Sequence, residues 1–195
     1  RYQVDGAIVA ARLSAGQLGA FRARGTALVL YNRQSDHVPV ASVACEFAAG
    51  ETMLVDGLIA SGCTRFALIG GPPDSTVGEA RLNGALDRLR LAGFTDIPVD
   101  RGDFSYASGH AAGSRLIEAH RPDAIISSND TMALGVMDAA RLDFGLAIPD
   151  ALSVVGFDGV APAMWQSYAL TTVRQPVGRM TEAAIAMLFD RIEHP

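Results

Sequence analysis

Short apolar runs alternate along this chain with longer segments whose apolar residues recur at helical spacing. The runs are continuous, as in Thr26–Tyr31, Arg65–Ile69 and Ser153–Phe157, which is typical of strands covered on both faces. Leu82, Leu86 and Leu89 follow the spacing of one helix face. Strands that alternate with helices of about 12 to 16 residues predict βαβ units and mostly parallel sheets, and therefore an α/β fold.

The remaining elements follow from the same pattern and from capping residues. Ser14 and Gly25 bracket one helix, and Gly93 closes another. Strands are also predicted at 5–10, 38–45, 97–99, 124–127 and 171–174, and helices at 46–60, 105–120, 131–144 and from 177 onward. Three strands precede residue 45 and four lie between 65 and 158, so we expect a complete second sheet and an incomplete amino-terminal one.

Composition excludes several classes of protein. Of the 195 residues 49% are hydrophobic, but no apolar run approaches the roughly 20 residues that span a bilayer. With a net charge of −5, these residues are not expected to bind DNA by themselves. Cys45 and Cys63 form no CxxC motif and the four histidines lack zinc-like spacing, so we predict no metal or cofactor and a reduced, cytoplasmic setting. The start at Arg1 without a signal peptide indicates a fragment of a longer polypeptide.

Polar side chains follow the carboxyl ends of three predicted strands. Asn129 and Asp130 follow AIISS, Asp158 follows SVVGF, and Gln175 follows TTVR. In open parallel sheets these ends line the crevice that binds ligands. We expect one of Asn129 and Asp130 to cap the next helix and the other to face a ligand. Asp158 is either a turn residue before Gly159 or an acceptor for ligand hydroxyls.

Two further candidates lie near the starts of predicted helices. The macrodipole disfavours a cation at the start of a helix, so Arg81 in GGPPDSTVGEARLNG is either a hydrogen-bonding group for a ligand or a solvated surface side chain. Phe104 in GDFSYASG is either a cover for the core or a flat face for a sugar ring or nucleobase. The sequence contains no phosphate-binding glycine motif and no nucleophile–base pair, so we predict binding without catalysis.

Taken together, these segments resemble the effector-binding core of the lactose-repressor (LacI/GalR) family of bacterial transcription regulators. The matching stretches are DGAIVA, GGPPDSTVGEARLNGALDRLRLAGF, GDFSYASG, PDAIISSNDTMALGVMDAARLDFGLAIPDALSVVGFDG and LTTVRQPV, in the family's order and spacing. The resemblance implies the fold of periplasmic sugar-binding proteins, in which two Rossmann-like lobes are joined by three crossovers and hold the effector in a cleft. It implies effector-binding roles for Arg81, Phe104, Asn129, Asp158, Gln175 and Asn32.

The resemblance also divides the chain into lobes. It assigns residues 1–45 and 176–190 to a partial amino-terminal lobe, and residues 46–174 and 191–195 to the carboxyl-terminal lobe. The helix-turn-helix headpiece and the first βαβ unit of the family have no counterpart here, so operator DNA is an expected partner only of a longer protein. The family usually has Asp-Asn where this chain has Glu46-Phe47, which puts one polar contact near the crossover in doubt.

The implied partners are a small effector and a second copy of the chain. The effector is expected to be a sugar or sugar derivative, ahead of a nucleoside or purine. In the implied homodimer the helix Thr131–Ala140 and the segment Pro162–Tyr168 would pair, with an apolar patch from Met132, Met137, Met164 and Trp165. The alternative function is a periplasmic sugar-binding protein that feeds a transporter.

Overall fold

The chain divides into two compact units, one formed by residues 1–45 and 176–195 and the other by residues 46–175. These units are seen in a computed structural model that describes residues 4–33, 35 and 38–194. Both units combine helices with a parallel sheet, so the predicted α/β class is confirmed.

The first unit is built on a three-stranded parallel sheet in the order β1-β2-β3. Its elements are β1 (Gly6–Val9), α1 (Ala15–Ala23), β2 (Ala27–Tyr31), β3 (Ala41–Val43) and, at the end of the chain, α6 (Val177–Glu193). Ser14 begins α1 with a capping box, because its hydroxyl accepts from the backbone N–H of Gln17 while the Gln17 side chain accepts from the Ser14 N–H. Leu18, Leu28 and Leu30 form the small core of this unit.

The second unit carries a five-stranded parallel sheet in the order β5-β4-β6-β7-β8. Its elements are α2 (Phe47–Ala60), β4 (Phe66–Gly70), α3 (Thr76–Leu91), β5 (Val99–Arg101), α4 (Tyr106–His120), β6 (Ala124–Ser127), α5 (Asp130–Asp138), β7 (Ser153–Asp158) and β8 (Thr171–Arg174). A π-helical turn, Ala139–Asp143, extends α5, and a short 3-10 helix, Ala161–Met164, follows β7.

The order of strands creates a switch point between β4 and β6. From β4 the chain passes through α3 to β5 on one side, and then through α4 to β6 on the opposite side of β4. Connections that leave the carboxyl ends of two such strands run in opposite directions, which opens a crevice at that edge of the sheet.

Two glycines allow α4 and α5 to approach closely. A Cβ on Gly109 of α4 would lie 2.2 Å from the carbonyl oxygen of Met132, and one on Gly135 of α5 would lie 2.2 Å from that of Tyr106. Any larger residue would therefore push the helices apart. This contact closes the main core of the unit, which includes Ile69, Ile125, Met132, Met137 and Leu152.

Three details differ from the pattern-based prediction. Strand β5 begins at Val99, whereas the apolar pattern suggested 97–99, and α5 gives way to the π-helical turn after Asp138. Helix α6 runs unbroken to Glu193 and packs on all three strands of the first unit through a face that includes Met180 and Ala184. Residues 191–194 therefore stay with the first unit, which differs from the expected return to the second lobe, and residue 195 lies outside the described residues. In the described part of the chain, no helix is long and apolar enough to cross a bilayer.

Candidate functional site

The candidate site lies along one edge of the five-stranded sheet. Because all five strands are parallel, their carboxyl ends meet there. Helices α3, α4 and α5 begin at the same edge, capped by Ser75, Ser105 and Asn129. The free N–H groups of the first turns give helix starts a partial positive charge, which favours acceptor groups at this edge.

Arg81 lies in the second turn of α3 with only 3% of its side chain exposed. Its guanidinium carbon is 4.3 Å from the centre of the Phe157 ring and 5.1 Å from that of Phe47, so two aromatic rings hold the cation. Its Nη1 donates to the carbonyl of Ser128 at 2.7 Å, and its Nη2 donates to Oδ1 of Asp158 at 2.8 Å. Arg81 is thus neither at the very start of its helix nor on the surface. It joins the ends of β6 and β7.

Asp158 presents a carboxylate in a constrained orientation at the end of β7. The same Oδ1 that pairs with Arg81 accepts a hydrogen bond from Nε2 of Gln175, so neither donor uses Oδ2. The side chain is 26% exposed. The backbone φ of Asp158 is 134°, a value that residues with a Cβ rarely adopt. The following loop is tight, since a Cβ on Gly159 would lie 2.7 Å from Cγ of Arg174.

Phe104 follows β5 and covers part of the core. A Cβ on Gly71 would lie 2.2 Å from Cζ of Phe104, so the ring lies directly against the glycine backbone after β4. The residue is half-buried, packs on the main core cluster and has a φ of 69°. The core-covering alternative is therefore observed, and a stacking role toward a ligand stays a prediction.

Asn129 is the helix cap of the Asn129-Asp130 pair. Its Oδ1 accepts from the backbone N–H of Met132 at 3.0 Å, and its Nδ2 donates to the carbonyl of Phe104 at 3.1 Å. One side chain thus fixes both the start of α5 and the loop that carries Phe104.

Asp130 is fully buried and holds the loop beyond Asp158. Its Oδ2 accepts from the N–H groups of Gly159 at 2.7 Å and Val160 at 2.9 Å, while Oδ1 accepts from the hydroxyl of Thr172. Burial raises the pKa of the Asp130 carboxyl, although these hydrogen bonds oppose the rise. The sequence predicted that one residue of this pair caps the helix and that the other faces a ligand. Asn129 is the cap, but Asp130 faces the protein interior.

Asn32 belongs to the first unit, where it follows β2. Its φ is 52°, and its backbone N–H donates to the carbonyl of Val43 at 2.7 Å. Its Oδ1 is buried and has no hydrogen-bond partner among the described residues. The other five predicted site residues lie in the second unit. There Asn129 is hydrogen-bonded to Phe104, and Asp158 is hydrogen-bonded to both Arg81 and Gln175. Arg81 also donates to Ser128.

The residues around Arg81 are not predicted as site residues by the sequence pattern. Phe47 lies in a predicted helix and Phe157 in a predicted strand, and nothing in either pattern indicates a contact with Arg81. A signal for Glu51 was present, because it falls within the apolar stripe formed by Phe47, Leu54 and Leu58 of α2. Glu51 is 1% exposed, and burial raises the pKa of its carboxyl to about 8 although Arg81 acts in the opposite direction.

The chemistry available at this edge is hydrogen bonding. The partly exposed carboxylate of Asp158 suits a ligand rich in hydroxyl groups, whereas Arg81, Asn129 and Gln175 make hydrogen bonds within the protein. Among the residues that the structure describes, no group of three or more His, Cys, Asp or Glu side chains could hold a metal ion.

The apolar surface proposed for a dimer is only partly available. Met132 and Met137 are buried in the core, at 0% and 1% exposure, so they cannot contribute to a surface patch. Helical periodicity does not distinguish the core face of α5 from an interface face, and α5 uses these residues for the core. Met164 and Trp165 are exposed.

Comparison with known proteins gives consistent matches. A family model described as a periplasmic binding protein-like domain matches residues 55–195. The HTH-type transcriptional repressor PurR of Klebsiella pneumoniae is 37% identical over 139 residues, which is 69% of this chain and 40% of that protein. The chain thus spans less than half the length of this curated relative.

Two solved structures extend the match over nearly the whole chain. A LacI transcriptional regulator from a Rhodococcus species has a TM-score of 0.91 at 29% identity, covering 98% of this chain and 71% of that one. A complex of the transcriptional regulator CelR with cellobiose has a TM-score of 0.89 at 30% identity, covering 97% of this chain and 60% of that one. The family model, the repressor sequence and these structures together show that the chain belongs to the LacI/GalR family and forms an effector-binding core of the periplasmic-binding-protein-like type.

Proposed function

We propose that this chain is the effector-sensing core of a LacI-type regulator and binds a small, sugar-like molecule at the carboxyl edge of the five-stranded sheet. The observation that carries the proposal is Asp158, a partly exposed carboxylate whose Oδ1 is occupied by Arg81 and Gln175. Its Oδ2 takes no part in those two bonds and can accept from ligand hydroxyls. The exclusion of water by a bound ligand would strengthen such charge-assisted bonds.

A sugar or sugar derivative fits these groups better than other small molecules. Asp158 suits hydroxyl groups, and Phe104 supplies an aromatic side chain for the apolar face of a ring. The CelR relative is described in complex with cellobiose, which supports the same ligand class. A nucleoside or purine is the second candidate, because a flat base would also stack on Phe104.

The biological role proposed for the longer protein is control of DNA binding by the effector. The sequence relatives are repressors, and a helix-turn-helix headpiece would supply the DNA contact. A regulator of this kind acts in the cytoplasm and does not turn its ligand over. The alternative is a periplasmic sugar-binding protein, and the gene sequence upstream of Arg1 separates the two: a helix-turn-helix supports the regulator and a signal peptide supports the alternative.

A homodimer is proposed for the longer protein, with Met164 and Trp165 in the interface. These two residues are adjacent in the sequence, and each is more than half exposed. Leu142 is a further exposed apolar residue of the second unit. Replacement of Trp165 by serine should then weaken the dimer in sedimentation experiments. A monomeric wild-type protein at high concentration would contradict the proposal.

A thermal-shift screen tests the ligand class directly. Sugars, sugar acids, nucleosides and purines would be added to the chain, and a ligand at about 100 times its Kd should stabilise it by roughly 2.7 kcal/mol. A shift with sugars that is lost in Asp158→Asn supports the proposal. A shift only with nucleosides or purines replaces the ligand class, and formation of product from any bound sugar overturns the non-enzymatic role.

A further inference from the structure

Glu51 is a buried acidic residue with no role in the candidate site. It lies on the side of α2 that faces α3, because a Cβ built on Gly84 of α3 would be 3.4 Å from the Cβ of Glu51. The carboxyl is therefore confined between the two helices. Both of its oxygens are buried without a hydrogen-bond partner among the described residues. Buried polar groups of native proteins are rarely left in this condition without a reason.

Arg81 has a buried donor in the same condition. Its Nη1 and Nη2 are bonded to Ser128 and Asp158, but Nε has no acceptor within the described residues. Arg81 lies almost one turn before Gly84 on α3, and its charge acts on the Glu51 carboxyl. The guanidinium thus has two acidic neighbours, Asp158, which is bonded to it, and Glu51, which is not.

One guanidinium cannot neutralise two neighbouring carboxylates. An unpaired charge in a protein interior is costly, and the acid that is more deeply buried takes up a proton first. Asp158 is 26% exposed and bonded to Arg81, whereas Glu51 is 1% exposed. Burial accordingly holds the pKa of Glu51 at about 8, so Glu51 is mostly neutral at pH 7 while Asp158 balances Arg81.

Few other charges can act on this arrangement. Helix α2 packs on α3 and β8. On α3, the charged side chains other than Arg81 are engaged in pairs: Glu79 with Arg101, Arg88 with Asp56, and Arg90 with Asp87. On β8 the charged residue is Arg174, which is exposed and lies against Gly159.

We propose that Glu51 is a positioning residue for Arg81, a second acidic partner that ionises when Asp158 no longer balances the arginine. A ligand hydroxyl that replaces Arg81 on Oδ1 of Asp158 would separate the guanidinium from that carboxylate. Glu51 would then release its proton to the solvent and, as a carboxylate, accept from the free Nε–H. The guanidinium would stay between Phe47 and Phe157, and ligand binding would be coupled to the release of a proton. The inference rests on the proposed function, since it needs a ligand that engages Asp158.

The central step can be tested without any ligand. The infrared absorption of protonated carboxyl groups would be followed as the pH is raised through about 8 in the 195-residue chain. We expect a band that titrates in this range and is missing in Glu51→Gln. Glu118→Gln is the matched control, because it removes an exposed carboxyl of the same type and should leave the band unchanged.

Two further variants then change the charge balance in opposite directions. Asp158→Asn removes the competing carboxylate, so the Glu51 band should disappear at a pH lower by at least about one unit, a tenfold change in proton affinity. Arg81→Gln removes the cation, so the band should persist to higher pH. If one of these variants does not fold, the other still shows whether the titration of the Glu51 band moves in the expected direction. The band itself is assigned with Glu51→Gln and depends on neither variant.

The results separate this inference from the proposed function. A titrating band that does not move in either variant would show that Glu51 is only a structural residue, even if a sugar binds. Absence of a band that depends on Glu51 would also overturn the inference. A band that shifts as expected while no sugar binds would retain the coupling between Glu51 and Arg81 and reject the ligand class alone.

Discussion

Gly71 lies so close to the ring of Phe104 that a methyl group in its place would be 2.2 Å from Cζ. Gly71→Ala should therefore displace the ring. We expect a loss of about 1 to 3 kcal/mol in the free energy of unfolding, as is usual for overpacking. The affinity for any ligand that stacks on Phe104 should fall as well. Urea denaturation and titration calorimetry measure the two effects.

Gly57→Ala is the matched control for this substitution. Gly57 lies in the interior of α2 and a Cβ there would meet nothing within 4 Å, so alanine should stabilise the protein by roughly 0.5 to 1 kcal/mol. An equal response of the two variants would contradict the close contact between Gly71 and Phe104.

Asp158→Asn tests the carboxylate itself. It keeps the size of the side chain but removes the charge, so ligand affinity should fall by about 1.5 to 3 kcal/mol, the usual strength of a hydrogen bond to a charged group. Titration calorimetry with a ligand from the thermal-shift screen measures the loss. Asp87→Asn, on a side chain that is 70% exposed, should bind normally. Unchanged affinity in Asp158→Asn would place the ligand elsewhere.

Arg81→Ala should combine weaker binding with lower stability. It leaves a space between Phe47 and Phe157 and removes the partner of Asp158, and breaking a buried ion pair usually costs about 3 to 5 kcal/mol. Because Asp158 is partly exposed, we expect the lower end of that range in urea denaturation. A variant as stable as the wild type would show that the aromatic pair and the ion pair contribute little.

Glu51→Gln should change how stability depends on pH. The folded protein holds the Glu51 proton with a pKa of about 8, whereas the pKa of an exposed glutamate in the unfolded chain is 4.5. The unfolded chain therefore binds fewer protons between these values. The contribution of Glu51 is complete below pH 4.5 and is lost as the pH rises to about 8, by up to about 1.4 kcal/mol per pH unit.

Denaturation curves of the wild type and Glu51→Gln across this range isolate the contribution. The difference in the free energy of unfolding between the wild type and Glu51→Gln should shrink or reverse as the pH rises, because only the wild type has a titrating carboxyl at position 51. Parallel pH profiles would mean that Glu51 has an ordinary pKa.

Asp130→Asn should loosen the loop that follows Asp158. An amide cannot accept at both ends, so it would leave either the N–H groups of Gly159 and Val160 or the hydroxyl of Thr172 facing another donor. Each buried group left unsatisfied costs about 1 to 3 kcal/mol. Hydrogen exchange at Gly159 and Val160 should accelerate in this variant, whereas Asp87→Asn should leave it unchanged. Slow exchange in Asp130→Asn would argue against the Asp130 contact.

Much of this fold could be predicted because its local signals agree with one another. Ser14 and Gly25 bracket α1 as expected, and the continuous apolar runs became the buried strands of parallel sheets. The exact start of β5 could not be predicted, because its pairing with β4 depends on backbone register rather than on side-chain pattern.

The candidate site was predicted in part. The position of Asn129 and Asp158 at strand ends follows from the alternation of elements. What each side chain does depends on contacts far apart in the chain: Asp130 meets Thr172, and Arg81 meets Ser128. Similarly, the periodicity of α5 cannot show whether Met132 faces the core or a second subunit. Sequence patterns describe one element at a time, and these roles are decided between elements.

The loop that Asp130 holds beyond Asp158 has a consequence for the speed of sensing. The unfavourable φ of 134° at Asp158 costs on the order of 1 to 3 kcal/mol, and folding bears that cost before any ligand arrives. An incoming molecule would meet a carboxylate that already has its final orientation. Association would then be set by the frequency of encounters rather than by rearrangement of the pocket, so ligands of different affinity would differ mainly in how long they stay bound.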